Sequence, residues 1–198
     1  MKLIIASNNE HKLIEIRQIL GAHFGEILSM REAGIEHETV EDGASFAENA
    51  AKKAREIMEL SGCCALADDS GLCVDALGGA PGIFSARFAG EHGNDAANRR
   101  KLLEVLKDVD ERAAHFTCSM VLARPDGSTV TAEGYVFGVI ARAEAGENGF
   151  GYDSRFFPRA GAAPSCSRIR AERTANHSRS RSPPPRRGRS RRRRSPRP

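Results

Sequence analysis

Apolar positions along the chain fall in short runs separated by polar clusters, and the spacing inside each run predicts its element. Lys2–Ala6 is a strand-length run that ends in Ser7-Asn8-Asn9. Leu13, Ile16 and Leu20, flanked by Ile14 and Ile19, then recur at helical spacing as far as Gly21. Glu26–Met30 predicts a second strand. Ser45-Phe46-Ala47-Glu48 matches a capping box, and the good helix formers after it predict a helix to Leu60. Cys64–Ala67 predicts a short buried strand that stops at Asp68-Asp69-Ser70-Gly71. Leu72–Leu77 runs into Gly78-Gly79-Ala80-Pro81-Gly82, too rich in glycine for a regular element. Asn94–Val109 sets Leu102, Leu103, Val105 and Leu106 on a polar background, an amphipathic helix. Ala113–Ala123 and Ser128–Val139 flank Pro125-Asp126-Gly127 and predict a β-hairpin. Crossover and hairpin connections together predict an α/β or α+β class with a mixed sheet.

Composition adds a boundary. The 198 residues suit one domain or two tightly joined lobes, and 40% hydrophobic with 28% charged is an ordinary globular mixture. The averages conceal a break at Pro158. Residues 159–198 hold 14 Arg, no Lys and one acid (Glu172), a charge of +13, whereas residues 1–158 hold 16 basic and 25 acidic groups, a charge of −9. The overall +4 describes neither part, and an acidic body excludes reading the whole chain as a nucleic-acid-binding domain. The Arg/Ser/Pro-rich segment has almost no apolar side chains to offset its ordering entropy and is expected to be disordered. The expected organisation is therefore a folded domain over 1–158 and a disordered tail over 159–198. No run reaches the length of a transmembrane helix, and the apolar run at the N-terminus is too short for a secretory signal. Five cysteines without CxxC spacing argue against structural zinc or a disulfide framework, and reduced thiols in a cytoplasmic protein are expected.

Four constellations can carry chemistry. Ser7-Asn8-Asn9-Glu10-His11-Lys12, between the first strand and first helix, offers free backbone N–H groups and an ammonium to an anion; the same residues would also make an ordinary helix cap. Asp68-Asp69-Ser70-Gly71 lies at the strand edge where ligands of open α/β sheets gather. A carboxylate there can hold Mg²⁺, with Glu41 or Glu48 as a second acid, or take a proton from water; a plain turn would read the same way. Adjacent strand residues face opposite ways, so one of the two aspartates should face a given cleft. Gly78, Gly79 and Gly82 allow close backbone approach, with or without a ligand. Phe150-Gly151-Tyr152-Asp153 presents two rings for stacking on a base, although a buried aromatic corner has the same sequence. The six histidines show no metal-ligand spacing, and no serine has a GxSxG context.

Taken in order, SNNEHK, EDGASFAENAAKKA, ALADDSGLCVDALGGAPGIFSARFAG and FGYDSRFF resemble the inosine/xanthosine triphosphate pyrophosphatases over residues 1–158. The resemblance implies Mg²⁺-dependent hydrolysis of ITP, dITP or XTP to the monophosphate and pyrophosphate. It implies a two-lobed α/β fold with a long central mixed sheet flanked by helices, a cleft between the lobes, and a homodimer. Carried over by motif position, Ser7, Asn8, Asn9, Glu10, His11 and Lys12 would hold the triphosphate. Asp69 would be the general base and a metal ligand, with Glu41 as the second, and Ser70 would contact substrate. Phe150, Gly151, Tyr152 and Asp153 would flank base and ribose.

The chain leaves this pattern after Asp153. Ser154 stands where the family has proline, and Glu172–Arg179 only blurs the family's Glu-Lys…Ser-His-Arg segment, with His177 before Ser178. Loss of polar contacts to the purine edge is expected to lower activity and weaken discrimination against ATP and GTP. Two alternatives stand beside this reading: sequence-independent nucleic-acid binding through the Arg-rich tail, and a related nucleotide pyrophosphatase with another base preference.

Overall fold

In the computed structural model, residues 1–7, 10–142, 151–159 and 172–174 are described, with the backbone alone at 10, 11 and 172–174. They form β1 (Lys2–Ile5), α1 (Glu10–Leu20), β2 (Glu26–Ser29), α2 (Phe46–Ser61), β3 (Cys64–Val74), α3 (Asp95–Val105), β4 (Ala113–Ala123), β5 (Thr129–Ile140), β6 (Phe156–Pro158) and β7 (Glu172–Thr174). The strands make one seven-stranded sheet in the order β2-β1-β3-β4-β5-β6, with β7 also on β5. β1 runs parallel to β2 and β3, and the remaining pairs are antiparallel. The mixed sheet flanked by helices is the expected class.

One local reading changes. The run Cys64–Val74 is one continuous strand, not a short strand that stops at Asp68. β4 pairs with it without a break from Ala65↔Ala123 to Val74↔Ala114, so the polar Asp-Asp-Ser-Gly stretch has ladder partners that hold it extended. Local sequence favours a turn there, and the neighbouring strand overrides it. Within the segment expected to be disordered, Glu172–Thr174 pairs antiparallel with Thr129–Thr131 of β5; residues 160–171 and 175–198 lie outside the described residues.

Alternation along β3 assigns each helix to a face. Cys64 and Leu66 join Leu13 and Ile16 of α1 in one buried cluster. Leu72 and Val74, on the same face by the two-residue period, join Leu102 and Tyr152 in a second cluster, together with Phe156. Asp68 and Ser70 lie between those clusters, a polar gap in an otherwise apolar face. The opposite face carries Ala67 with Ala50 and Ala54 of α2, and Ala65 with Ile57. Those alanines let α2 approach the sheet closely. α2 starts as a capping box predicts: the Ser45 hydroxyl accepts from Glu48 N at 3.2 Å, and the Glu48 carboxylate accepts from Ala44 N at 2.8 Å. It ends at Gly62, whose positive φ of 64° closes the last turn onto Met58 O.

Gly71 needs its missing side chain. A Cβ there would come within 2.5 Å of Ser85 Oγ and 2.6 Å of Gly82 O. Ser85 Oγ in turn accepts from Leu72 N at 2.9 Å and donates to Gly82 O at 2.6 Å, joining β3 to the glycine-rich loop. Gly71→Ala should therefore lower folding stability by about 1–3 kcal/mol, the usual range for overpacking a filled site. Chemical denaturation of the two proteins measures it, and equal midpoints would show that the loop yields freely.

Candidate active site

The polar gap on β3 is where the charged groups collect. Lys12, two residues into α1, reaches Asp68: its ammonium lies 2.5 Å from Asp68 Oδ2, and the Asp68 carboxylate is only 11% exposed. One residue on, Asp69 points to the opposite face and meets α2. Its Oδ2 accepts from Asn49 Nδ2 at 2.9 Å and its Oδ1 accepts from its neighbour Ser70 N at 2.9 Å. Lys12 is thus paired with Asp68, and the lysine facing the Asp69 side is Lys53 of α2. The Lys53 ammonium donates to Glu41 Oε1 at 2.8 Å. Arg87 donates to the backbone carbonyl of Glu41 at 3.3 Å, fixing that loop from the other side.

Burial pushes the Asp69 carboxyl above the ordinary range; the Asn49 amide and the Lys53 ammonium pull it down, and the Glu41 charge pushes it up again. Glu41 and Asp69 are therefore close enough to feel each other's charge. The thiol of Cys118, paired with Ser70 across the ladder, is raised by burial and senses Asp68, Lys12, Asp69 and Lys53 alike. All four charges belong to one electrostatic neighbourhood, reached from both faces of a single strand.

A cavity of about 650 Å³ opens beside this neighbourhood and is lined by Ser7, Glu41, Lys53, Arg87, His37 and His92, among others. It brings together Ser7, which follows β1, and Glu41, which precedes α2, two residues expected in the site. Asn8 and Asn9 lie outside the described residues, and Glu10 and His11 are seen as the first turn of α1. Ser70 is exposed at the gap.

The aromatic end differs from expectation. Tyr152 is 5% exposed and packs in the cluster with Leu72 and Leu102, while its hydroxyl donates to Ser85 O at 2.9 Å. Its ring is core, the buried corner of the two sequence alternatives, and offers no free face for stacking. Burial accordingly holds its phenol above the ordinary range. Gly151 is tied to α3 at both backbone atoms, with Asp95 accepting from its N–H at 3.0 Å and Arg99 donating to its carbonyl at 2.8 Å. Asp153 opens a short helical turn and is exposed; Phe150 lies outside the described residues.

Asn49, Lys53 and Arg87 were not among the expected site residues, and Asp68, part of the Asp68-Asp69-Ser70-Gly71 candidate, was given no role of its own. Asn49 and Lys53 are four apart and so share one helix face, which a helical wheel of α2 would have shown once Asp69 was known to meet that helix.

The site can be set against known proteins. The family model described as Ham1 family matches residues 3–182, nine tenths of the chain. The chain belongs to the Ham1 family. Among relatives named dITP/XTP pyrophosphatase, that of Clostridium perfringens is 52% identical over 164 residues, 79% of this chain and 80% of that protein. That of Leifsonia xyli subsp. xyli is 48% identical over 161 residues, 80% of this chain and 79% of that protein. A solved structure of a nucleoside-triphosphatase / dITP/XTP pyrophosphatase from Mycobacterium abscessus has a TM-score of 0.72 at 44% identity, covering 84% of this chain and 88% of that one. The Ham1 protein of Staphylococcus aureus gives a TM-score of 0.73 at 39% identity, covering 79% of this chain and 81% of that one. The Ham1 match continues past the compositional break at Pro158.

The Ham1 residues fit a hard divalent cation. Glu41 and Asp69 offer carboxylate oxygens whose mutual repulsion a cation would relieve. Among the described residues no group of three or more His, Cys, Asp and Glu is arranged to hold a metal, so a bound cation needs other oxygens, as Mg²⁺ takes from substrate phosphates. No helix of the described residues is long and apolar enough to cross a membrane.

Because burial raises Asp69, its charged form is disfavoured in the folded chain, and stability falls as pH rises from the ordinary carboxylate range through the raised value. Asp69→Asn should therefore melt at a higher temperature than the unmutated chain near neutral pH. Below the ordinary carboxylate range both forms are neutral and the gain should vanish. Thermal denaturation across a pH series measures this, and a gain independent of pH would refute it.

Proposed function

We propose that this chain hydrolyses the non-standard purine nucleoside triphosphates ITP, dITP and XTP, with Mg²⁺, to the monophosphate and pyrophosphate. The coarser activity, nucleoside triphosphate pyrophosphatase, rests on relatives named dITP/XTP pyrophosphatase that match about four fifths of the chain at about half identity. The observation that carries the hydrolytic reading is a half-buried, upshifted Asp69 that feels the charges of Glu41 and Lys53, whose ion pair lines a cavity that also includes Ser7.

Ser7 and the N-terminal turn of α1 bind the triphosphate through hydroxyl and backbone N–H groups, and the helix dipole adds to that attraction. Lys12 and Lys53 supply positive charge from the two faces of β3, each held by an acid in the free protein. Asp69 takes a proton from water, and its raised pKa makes it a better base than an ordinary carboxylate. The water oxygen forms a bond to the α-phosphorus, the bond from that phosphorus to the bridging oxygen breaks, and its electron pair leaves with pyrophosphate. Asn49 keeps Asp69 pointed through the step. When bound, Mg²⁺ at Glu41 and Asp69 neutralises the charge of the phosphates. Ser154 and the His177-Ser178 order depart from the family's base-reading pattern, so activity is low and ATP and GTP are poorly rejected. The Arg-rich segment adds salt-dependent, sequence-independent affinity for polyanions.

The working form is a homodimer. Phe137, Val139 and Phe157 are 47%, 39% and 46% exposed. The Val139↔Phe157 pairing puts all three on one face, opposite the cluster that holds Phe156 and Ile140. His115 and Tyr135 extend this face, with ring centroids 5.4 and 6.2 Å from Phe137. A contiguous aromatic face suits an isologous contact between two copies.

Pyrophosphate release from ITP, XTP, dITP and ATP, with and without Mg²⁺, tests the activity. The expected result is Mg²⁺-dependent release that Asp69→Asn lowers by about 100-fold or more, in line with the loss of a general base. Release unaffected by that substitution would overturn the assignment. Phe137→Asp should shift the species seen by light scattering from dimer to monomer, and an unchanged mass would remove this face from the contact.

A further inference from the structure

Asn49 sits on the face of α2 that meets β3 and has no exposed surface. A primary amide in such a place needs partners, because burying it unpaired is costly. It has them on both ends. Nδ2 donates to Asp69 Oδ2 at 2.9 Å, and Oδ1 accepts from Gly43 N at 2.8 Å. The chemistry of the partners fixes which end is which: an ionised carboxylate only accepts, and a backbone N–H only donates.

The loop that Asn49 grips is the one that carries Glu41. Three other α2 side chains hold the same loop: Glu48 accepts from Ala44 N at 2.8 Å, Lys52 pairs with Asp42 at 2.6 Å, and Lys53 pairs with Glu41 at 2.8 Å. Of these four side chains, Asn49 is the one hydrogen-bonded to β3 as well. The fit is close, since a Cβ on Gly43 would come within 2.7 Å of Asn49 Oδ1 and 2.9 Å of Glu48 Cβ. One buried amide thus joins the acid on the loop to the acid on the strand.

We propose that Asn49 is a positioning residue that sets the Glu41-bearing loop against Asp69, so that the two carboxylates are spaced for one divalent cation before it binds. The proposal rests on the reading of Glu41 and Asp69 given above. Two acids that repel each other would drift apart on a loose loop, and the amide opposes this by using one side chain to hold both supports. Removing it strands Asp69 Oδ2 and Gly43 N together, which couples metal affinity to loop order. Partners of metal ligands commonly change affinity by about 10–100-fold when lost.

The test is Mn²⁺ binding to the full chain by calorimetry, alongside amide hydrogen exchange at Gly43. In the unmutated chain Mn²⁺ should slow Gly43 exchange, because the amide links that N–H to a cation ligand. Asn49→Ala should weaken Mn²⁺ by about tenfold or more, speed Gly43 exchange, and lower kcat more than it raises KM. Asn49→Leu, which keeps the side-chain volume and helix propensity, should do the same and covers the case in which the alanine variant fails to fold. Lys52→Ala, which removes an exposed ion pair to Asp42 and leaves the Asn49 bonds to Gly43 and Asp69 in place, should leave Mn²⁺ affinity within about twofold, well short of the loss expected from a ligand's own partner. The proposal is overturned by a folded Asn49 variant with wild-type Mn²⁺ affinity, by a Lys52→Ala loss as large as that of Asn49→Ala, or by Gly43 exchange in the unmutated chain that ignores Mn²⁺. Absence of pyrophosphate release with these binding readouts intact would count against the proposed activity alone.

Discussion

Two consecutive carboxylates on one strand are the constraint around which the rest of the molecule is arranged. Asp68 and Asp69 must face opposite sides of the sheet because successive strand residues alternate. Each is removed from bulk water by the helix on its own side, and a buried acid needs a compensating partner. α1 answers with the Lys12 ammonium and α2 with the Asn49 amide. The difference between the answers has a chemical consequence. Asp68 is held in an ion pair, whereas Asp69 has a neutral amide as its side-chain partner, and burial leaves its carboxyl above the ordinary range and ready to accept a proton.

The scaffold makes such an arrangement tolerable. β4 pairs with β3 along its whole length, so the polar stretch keeps its backbone hydrogen bonds while its side chains do other work. Apolar clusters close both ends of the gap, with α1 against Leu66 and α3 against Leu72. Between them lies the one stretch of that face where polar side chains alternate with the core. On the opposite face Gly71 lets the glycine-rich loop press against the strand where any side chain would collide.

A second layer of organisation belongs to α2. Its residues 48, 49, 52 and 53 all reach the loop that precedes it, so the helix and the Glu41 loop form one unit. The capping box that starts the helix is part of this unit as well as a local stop signal. Function and helix initiation here draw on the same few hydrogen bonds, which explains why so many polar residues crowd a single helix terminus.

The amino-acid order alone determined the elements whose periodicity is strong: the first strand and helix, the capped helix after Ser45, the helix after Asn94 and the hairpin around Pro125-Asp126-Gly127. It also determined that Asp68 and Asp69 could not both face one cleft, since alternation is a property of the chain. What needed the tertiary structure was which partner each would meet. A turn-like Asp-Asp-Ser-Gly became extended because β4 lay beside it, and no local signal reports a neighbour 50 residues away. Tyr152 became core because Ser85 supplied a buried acceptor for its hydroxyl, whereas in sequence a ring for stacking and a ring for packing are alike. Asn49 and Lys53 were invisible for the same reason: their roles are set by long-range distances to Asp69 and Glu41, which only the folded chain brings close.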